Sequence, residues 1–551
     1  MANYLDNVKA WLEGDFDERT KAEIRELQKN DPAGLEDAFY KNLEFGTGGL
    51  RGIMGPGTNR MNAYTVGMAT QGLANYILAH SDSPEKSVCI SFDSRNHSAE
   101  FAEIASKVLS ANGITVYIFD GIRPTPEMSY AVRLKGSVAG IMITASHNPK
   151  EYNGYKVSWS DGGQVTAPVD EAIVAEVAKV SSPSMVKFSS ESPAPVHKMG
   201  AEVDEKYLTD LLSLSLSPEA CKRHGDIKIV YTPLHGCGVR MVPEILKRLG
   251  FPNVIHVPEQ DVSDGNFPTV VSPNPEESAA LKMAIDKAEE TGADIVIGTD
   301  PDADRMGIAV RDNDGKIVLF NGNQTASLLT YYILSRRAGL GTLGEGKYVV
   351  KTIVTSELIT DICRGFGVPV YNVLTGFKYI AEVVKRNEGK GEFVCGGEES
   401  YGFNVGEFVR DKDAQVSAMM IAECAAWAAE RGLTLYQLMQ EVYEKFGYRK
   451  EALVNVVRKG ISGKKEIDAM MDALRSNPPK ELCGSAVTKV IDYLDPAATG
   501  QPKSNVLQFF DADGDVVSVR PSGTEPKIKF YFGARGADAD SKIAALKAQF
   551  A

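Results

Sequence analysis

The sequence predicts three serial α/β domains with mixed, largely parallel sheets, followed by a smaller α+β domain. Three observations predict it. A short β-branched run, a turn and an amphipathic helix follow one another repeatedly; that unit recurs in three blocks of similar size; and beyond about Gly447 the texture becomes strand-rich. In the first block Val88 to Phe92 reads as a strand, followed by the turn Asp93-Ser94-Arg95-Asn96. Phe101, Ile104, Ala105, Val108 and Leu109 then fall at helical spacing, with Gly113 as the stop. Val116 to Phe119 and Val138 to Ile143 are the next strands. The second block holds Ile227 to Thr232, Val254 to Val257 and Ile295 to Thr299; the third holds Tyr348 to Thr355, Val368 to Val373 and Phe393 to Cys395. The last region runs through Leu453 to Val457, Val487 to Leu494, Val506 to Phe510, Val516 to Val519 and Ile528 to Phe532. No strict sequence repeat accompanies the rhythm. The Ser/Pro-rich stretch Ser181 to Pro195 reads as a surface loop or linker near the first boundary. The expected domains are 1–205, 206–318, 319–438 and 439–551.

The chain has 551 residues, 43% hydrophobic and 24% charged, enough to bury several cores. Its formal charge of −13, without a long basic block, argues against a nucleic-acid partner. Any anionic substrate must therefore be met by a local basic pocket. No apolar run approaches a membrane span, the amino terminus lacks a signal-peptide pattern, and the seven cysteines form no CxxC pair. A cytoplasmic location with reduced thiols is expected. All seven histidines lie at or before His256, so a histidine-rich metal centre in the second half is excluded.

Four polar constellations carry the chemistry. Thr144-Ala145-Ser146-His147-Asn148-Pro149 follows the run Val138 to Ile143, which puts a serine hydroxyl at the carboxyl edge of a sheet, where ligands collect in open α/β folds. Asp300-Pro301-Asp302-Ala303-Asp304-Arg305 follows Ile295-Val296-Ile297, and alternation lets the three aspartates converge. Two carboxylates about 4 Å apart repel by roughly 4 kcal/mol at an effective dielectric near 20, so three together call for a hard cation, Mg²⁺ first. An EF-hand is excluded because Arg305 and Arg311 stand where its Gly and Glu would. The acidic runs at 312–315 and 511–515 read instead as hairpin turns. Gly396-Gly397-Glu398-Glu399-Ser400 offers a carboxylate and a hydroxyl that can fork onto sugar hydroxyls, and Arg520-Pro521-Ser522-Gly523-Thr524 suits a phosphate monoester. Among smaller candidates, Arg51 sits on a Gly-rich polar loop and reaches either phosphate or solvent. Lys156 lies ten residues past Ser146, near enough to return to the same site. His235 reads as structural.

TASHNP, DPDADR, GEES and RPSGT stand here in the order and spacing of the α-D-phosphohexomutase superfamily, which the chain resembles over nearly its whole length. GTGGLRG at 46–52 and Val409-Arg410-Asp411-Lys412-Asp413 are most similar to the phosphoglucomutase/phosphopentomutase branch. The resemblance implies four domains around one central cleft, the last TATA-binding-protein-like. It implies that Ser146 is phosphorylated and that its phosphate joins Asp300, Asp302 and Asp304 in holding one Mg²⁺. Arg305, Arg51 and Lys156 would then line the reacting end, with Lys156 a candidate general acid/base; His147 is counted with them only by adjacency. Arg520, Ser522, Gly523 and Thr524 would hold the non-reacting phosphate, and Glu398 and Ser400 the ring hydroxyls. Lys378, in a loop where some branches carry histidine, would be a phosphate or substrate contact.

The function so implied is a phosphoglucomutase that interconverts glucose 1-phosphate and glucose 6-phosphate through glucose 1,6-bisphosphate, which also serves as activator. GEES rather than GEMS favours glucose over mannose. A phosphopentomutase or phosphomannomutase using the same mechanism is the alternative. From other classes, an inactive sugar-phosphate binder is opposed by the intact motifs, and a serine hydrolase by the lack of a GxSxG elbow. The expected partner is a small sugar phosphate, and the expected state a monomer or weak homodimer.

Overall fold

The structure is a computed structural model that describes residues 4–46, 49–458, 460–522 and 527–550. Three α/β domains follow one another, each with its own sheet, and a fourth carries an antiparallel sheet. The first sheet runs in the order Leu50–Ile53, Tyr152–Trp159, Ala139–Ile143, Ser87–Phe92, Thr115–Phe119, Val196–Met199. Its last four strands are parallel and the first two antiparallel. Ala139–Ile143 is buried at every position, as a strand covered on both faces must be.

One plan recurs in the three α/β domains. In each, the first parallel strand lies between the second and the third, and an antiparallel strand flanks the third. In the second domain Ile229–Thr232 lies between Ile255–His256 and Ile295–Thr299, flanked by Met306–Arg311. In the third, Lys347–Thr352 lies between Val370–Val373 and Glu392–Gly397, flanked by Phe403–Val405. The connections after the first and third strands leave to opposite sides, which opens a crevice at the carboxyl ends of those two strands. The serine loop, the aspartate loop and the Glu398 loop each leave a third strand. The fold thus repeats although the sequence does not.

The last domain is a six-stranded sheet in the order Arg449–Val457, Lys527–Arg535, Val516–Pro521, Leu507–Asp511, Ser485–Asp492, Glu481–Leu482. The acidic runs at 312–315 and 511–515 are the hairpin turns that the sequence suggests. The Ser/Pro-rich stretch is a surface segment within the first domain, from which the chain returns through Val196–Met199 to the first sheet. No helix among the described residues is long and apolar enough to cross a membrane.

Candidate active site

The loops that leave the three crevices meet. Ser146 Oγ donates to Asp300 Oδ2 at 2.9 Å. Asp300, Asp302 and Asp304 are buried, with one carboxylate oxygen of each within 4.8 Å of the others. Each loop holds one non-glycine residue in the left-handed region: Ser146 at φ 54°, Ala303 at 48° and Tyr401 at 66°. Such backbone is kept only where surrounding contacts over-determine it, and it clusters at functional sites.

For the aspartate loop those contacts come from neighbouring domains. At the start of the helix Thr125–Lys135, Thr125 donates its amide to Asp302 O at 2.9 Å and its hydroxyl to Asp302 Oδ2 at 2.8 Å. From the other side the helix Ala414–Glu430 presents Ala414 N to Ala303 O at 3.3 Å. Asp413 caps that helix, accepting from Gln415 N, Val416 N and the Tyr207 hydroxyl. The metal-type loop is therefore gripped by two helix N-termini, whose partial positive charge opposes that of the aspartates.

Charge balance is local. Lys156 Nζ lies 2.8 Å from Asp302 and 3.5 Å from Asp304, while Lys412 Nζ lies 2.9 Å from Asp304. Burial pushes Asp302 up, but Lys156 and Lys412 outweigh it and hold its carboxyl far below the usual range. Asp300 is raised well above that range, by burial first and then by Asp304 and Asp302. Asp302 Oδ1 and Asp304 Oδ1 are buried with no hydrogen-bond partner. Oxygens left without donors among clustered carboxylates fit a cation, and an all-oxygen set fits a hard one. The triad could hold a metal ion.

Lys156 returns to the serine site on the strand Tyr152–Trp159. Arg51 likewise stands on the edge strand Leu50–Ile53, opposite Gly154, rather than on a loop, and its Nη1 lies 3.4 Å from Asn148 Oδ1. The preceding Gly49 is required there: at φ 99° a Cβ would meet Tyr155 O at 1.9 Å. His147 Nδ1 lies 3.3 Å from Ser146 Oγ, and burial with Arg305 and Arg51 nearby brings its pKa down to about 2. Its ring is neutral at ordinary pH and a poor proton acceptor. His235 is structural, its two ring nitrogens bonded to Val262 O at 2.8 Å and Thr269 Oγ1 at 2.9 Å.

Arg305 links the metal-type loop to the Glu398 loop, donating to Ser400 O at 2.6 Å and lying 3.4 Å from Glu276. Glu398 is buried, accepts from Gly376 N at 3.0 Å, and has its pKa raised by that burial. Lys378 lies 3.6 Å from Asp170 of the first domain. Arg520 bonds Thr375 Oγ1, bringing the fourth domain's loop against the third. Ser522 donates its amide to Lys527 O at 2.8 Å. Gly523 and Thr524 lie outside the described residues. Sequence reasoning missed Lys412, Thr125 and Glu276 as site residues. Thr125 and Glu276 lie in no motif, and Lys412 stood out only as part of a branch-like segment.

A serine hydroxyl beside a buried aspartate triad suits metal-assisted phosphoryl transfer. Four domains of the phosphoglucomutase/phosphomannomutase family match in series: alpha/beta/alpha domain I over residues 42–184, domain II over 205–315, domain III over 321–446 and the C-terminal domain over 453–550. The chain belongs to this family and is an enzyme of its isomerase class. It is 39% identical over 508 residues to the phosphoglucomutase of Staphylococcus aureus strain USA300, covering 90% of each chain. The phosphoglucomutase of strain MRSA252 is 38% identical over 92% of each. In fold it is similar to a putative phosphomannomutase from Thermus thermophilus, at TM-score 0.70 and 22% identity, covering 92% of this chain and 98% of that one. It also matches the open form of parafusin, a phosphoglucomutase from Paramecium, at TM-score 0.71 and 18% identity, covering 93% and 94%.

Proposed function

We propose that this enzyme is a phosphoglucomutase that works through a phosphoserine at Ser146. The observation that carries the reading is the Ser146 hydroxyl 2.9 Å from Asp300 inside a buried aspartate triad. Phosphorylated Ser146 donates its phosphoryl group to the free hydroxyl of a glucose monophosphate. The resulting glucose 1,6-bisphosphate turns over in the cleft and returns its other phosphoryl group to Ser146. Asp300, Asp302 and Asp304, with a phosphoserine oxygen, would hold Mg²⁺, which when bound offsets charge on the transferring group.

The chain's own residues supply the rest. Arg305 and Arg51 face the transferring phosphoryl with fixed positive charge. Lys156, whose Nζ lies 2.8 Å from Asp302, is the candidate general acid/base: its ammonium gives a proton to the departing Ser146 oxygen and, once neutral, takes the proton that the attacking hydroxyl loses. Glu398 and Ser400 hold ring hydroxyls, contacts that are remade after the turn. Arg520, Ser522, Gly523 and Thr524 grip whichever phosphate is not reacting, with Lys378 as a further substrate contact. Relatives named phosphoglucomutase support glucose as the sugar.

Incubation with glucose 1,6-bisphosphate followed by peptide mass spectrometry should place one phosphate on Ser146; an unmodified Ser146 overturns the mechanism. Rates with glucose, mannose and ribose 1-phosphates should rank glucose first, and a large preference for ribose replaces the substrate.

A further inference from the structure

We propose that Arg95 is a positioning residue for phosphoryl transfer, shaping the Ser146 loop from behind; the inference rests on Ser146 being the phosphoryl carrier. Arg95 leaves the carboxyl end of the first strand, in the turn next to the serine loop, and is 3% exposed. Its Nη2 donates to Ser146 O and Asn148 O. Its Nη1 donates to Pro149 O at 2.9 Å and Tyr152 O at 3.0 Å. All four η hydrogens are thus spent on one loop, and Nε faces Asp93 Oδ2 at 3.3 Å.

The same unit reads the other side of the serine. Asp93 Oδ2 accepts from the Thr144 hydroxyl at 2.6 Å, and that hydroxyl oxygen accepts from Ser146 N at 2.8 Å. Both the amide and the carbonyl of Ser146 are therefore fixed through Asp93 and Arg95. A residue held at φ 54° needs such over-determination, since left-handed backbone is strained at a non-glycine residue. From the second domain, the Phe267 ring lies 5.0 Å from the guanidinium and closes the unit.

A buried arginine present only to neutralise Asp93 would not need four loop carbonyls. Nor can lysine replace it: three donors on one point do not reproduce a planar fork. Each carbonyl left without its donor would shift, and the serine oxygen with it.

Arg95→Lys is the test, scored on folded enzyme below its melting temperature. It should lower kcat by about 10²-fold with KM for glucose 1-phosphate within about threefold of wild type. Phosphorylation of Ser146 by glucose 1,6-bisphosphate should slow in parallel. A kcat within about twofold of wild type, with only the melting temperature lowered, makes Arg95 merely structural and overturns the inference; so does a loss confined to KM. Should Arg95→Lys fail to fold, Thr144→Val decides: it removes the acceptor of Ser146 N and should lower kcat without moving KM, and an unchanged kcat overturns the inference. Wild type serves as the control. If it takes no phosphate on Ser146, the mutase mechanism itself falls; if it does, Arg95→Lys judges the grip on the Ser146 carbonyl and Thr144→Val that on its amide.

Discussion

The two ends of the cleft are built on opposite plans. At the reacting end Ser146, Asp300, Asp302 and Asp304 are all buried; the aspartate loop is bonded from behind by helix starts of two other domains and the serine loop by Arg95 of its own. At the phosphate end Arg520 and Ser522 are half-buried, and Arg520 meets the third domain through the Thr375 hydroxyl. The fourth domain rests on the third through a small apolar patch with a few polar ties, among them Arg449–Asp361 at 2.8 Å and Gln508 Nε2 to Ile353 O at 2.7 Å. The difference follows from the work assigned to each end. A transferring phosphoryl group must be met by charges already in place, whereas a spectator phosphate must be released and gripped again in either orientation.

Breaking the reacting end should therefore cost most. Ser146→Ala should lower kcat by more than about 10⁴-fold, and Asp302→Ala by a similar factor because it also strips Lys156 of its partner. Steady-state rates with glucose 1-phosphate check both; residual activity above a hundredth of wild type would mean that another group carries the phosphoryl. Chelation comes next. Removing divalent ions should abolish turnover and lower thermal stability, since the aspartates then face one another with Lys156, Lys412 and Arg305 as the cations beside them. Mg²⁺ at about 100 times its dissociation constant should return roughly 2.7 kcal/mol of stability. Unchanged activity in chelator would remove the metal from the mechanism.

The sequence showed the motifs because each is a contiguous polar run behind an apolar strand, a pattern that burial enforces locally. Ser146, the aspartates, Glu398 and Arg520 were legible for that reason. Arg51 was misplaced onto a loop because glycines around it mimic one, while its strand exists only through pairing with Tyr152–Tyr155. Thr125 and Arg95 were invisible as site residues: one begins a helix, the other sits in a turn, and both act on residues far along the chain or across a crevice. The shared strand order of the three α/β domains was also hidden, since crossovers leave no periodic signal in side chains.

The phosphate end should give a smaller effect of a different kind. Arg520→Lys keeps the charge but loses the two-pronged grip on phosphate. KM for glucose 1-phosphate should rise about tenfold, equivalent to about 1.4 kcal/mol, while kcat stays within about threefold. A collapse of kcat at unchanged KM would show this loop to be as tightly coupled to chemistry as the serine loop, and the contrast between the two ends would fail.

The smallest effect concerns the support behind the aspartate loop. Burial raises the Asp413 carboxyl from an ordinary value of 3.8 to about 6, outweighing the hydrogen bonds from Tyr207, Val416 N and Gln415 N that favour its ionised form. A carboxyl raised in the folded state binds its proton more tightly there than in the unfolded chain. Its contribution to stability is therefore fully present below 3.8, is lost as pH rises from 3.8 to about 6, and is constant above that. Asp413→Asn keeps an acceptor for the helix cap but cannot ionise. Denaturation midpoints measured across this window should show the wild type losing ground steadily to Asp413→Asn as pH rises, then running parallel to it. Two parallel curves throughout would mean that Asp413 is already ionised in the acidic range, with its hydrogen bonds outweighing its burial. The support behind the aspartate loop would then carry its charge throughout, instead of gaining it as pH rises from 3.8 to about 6.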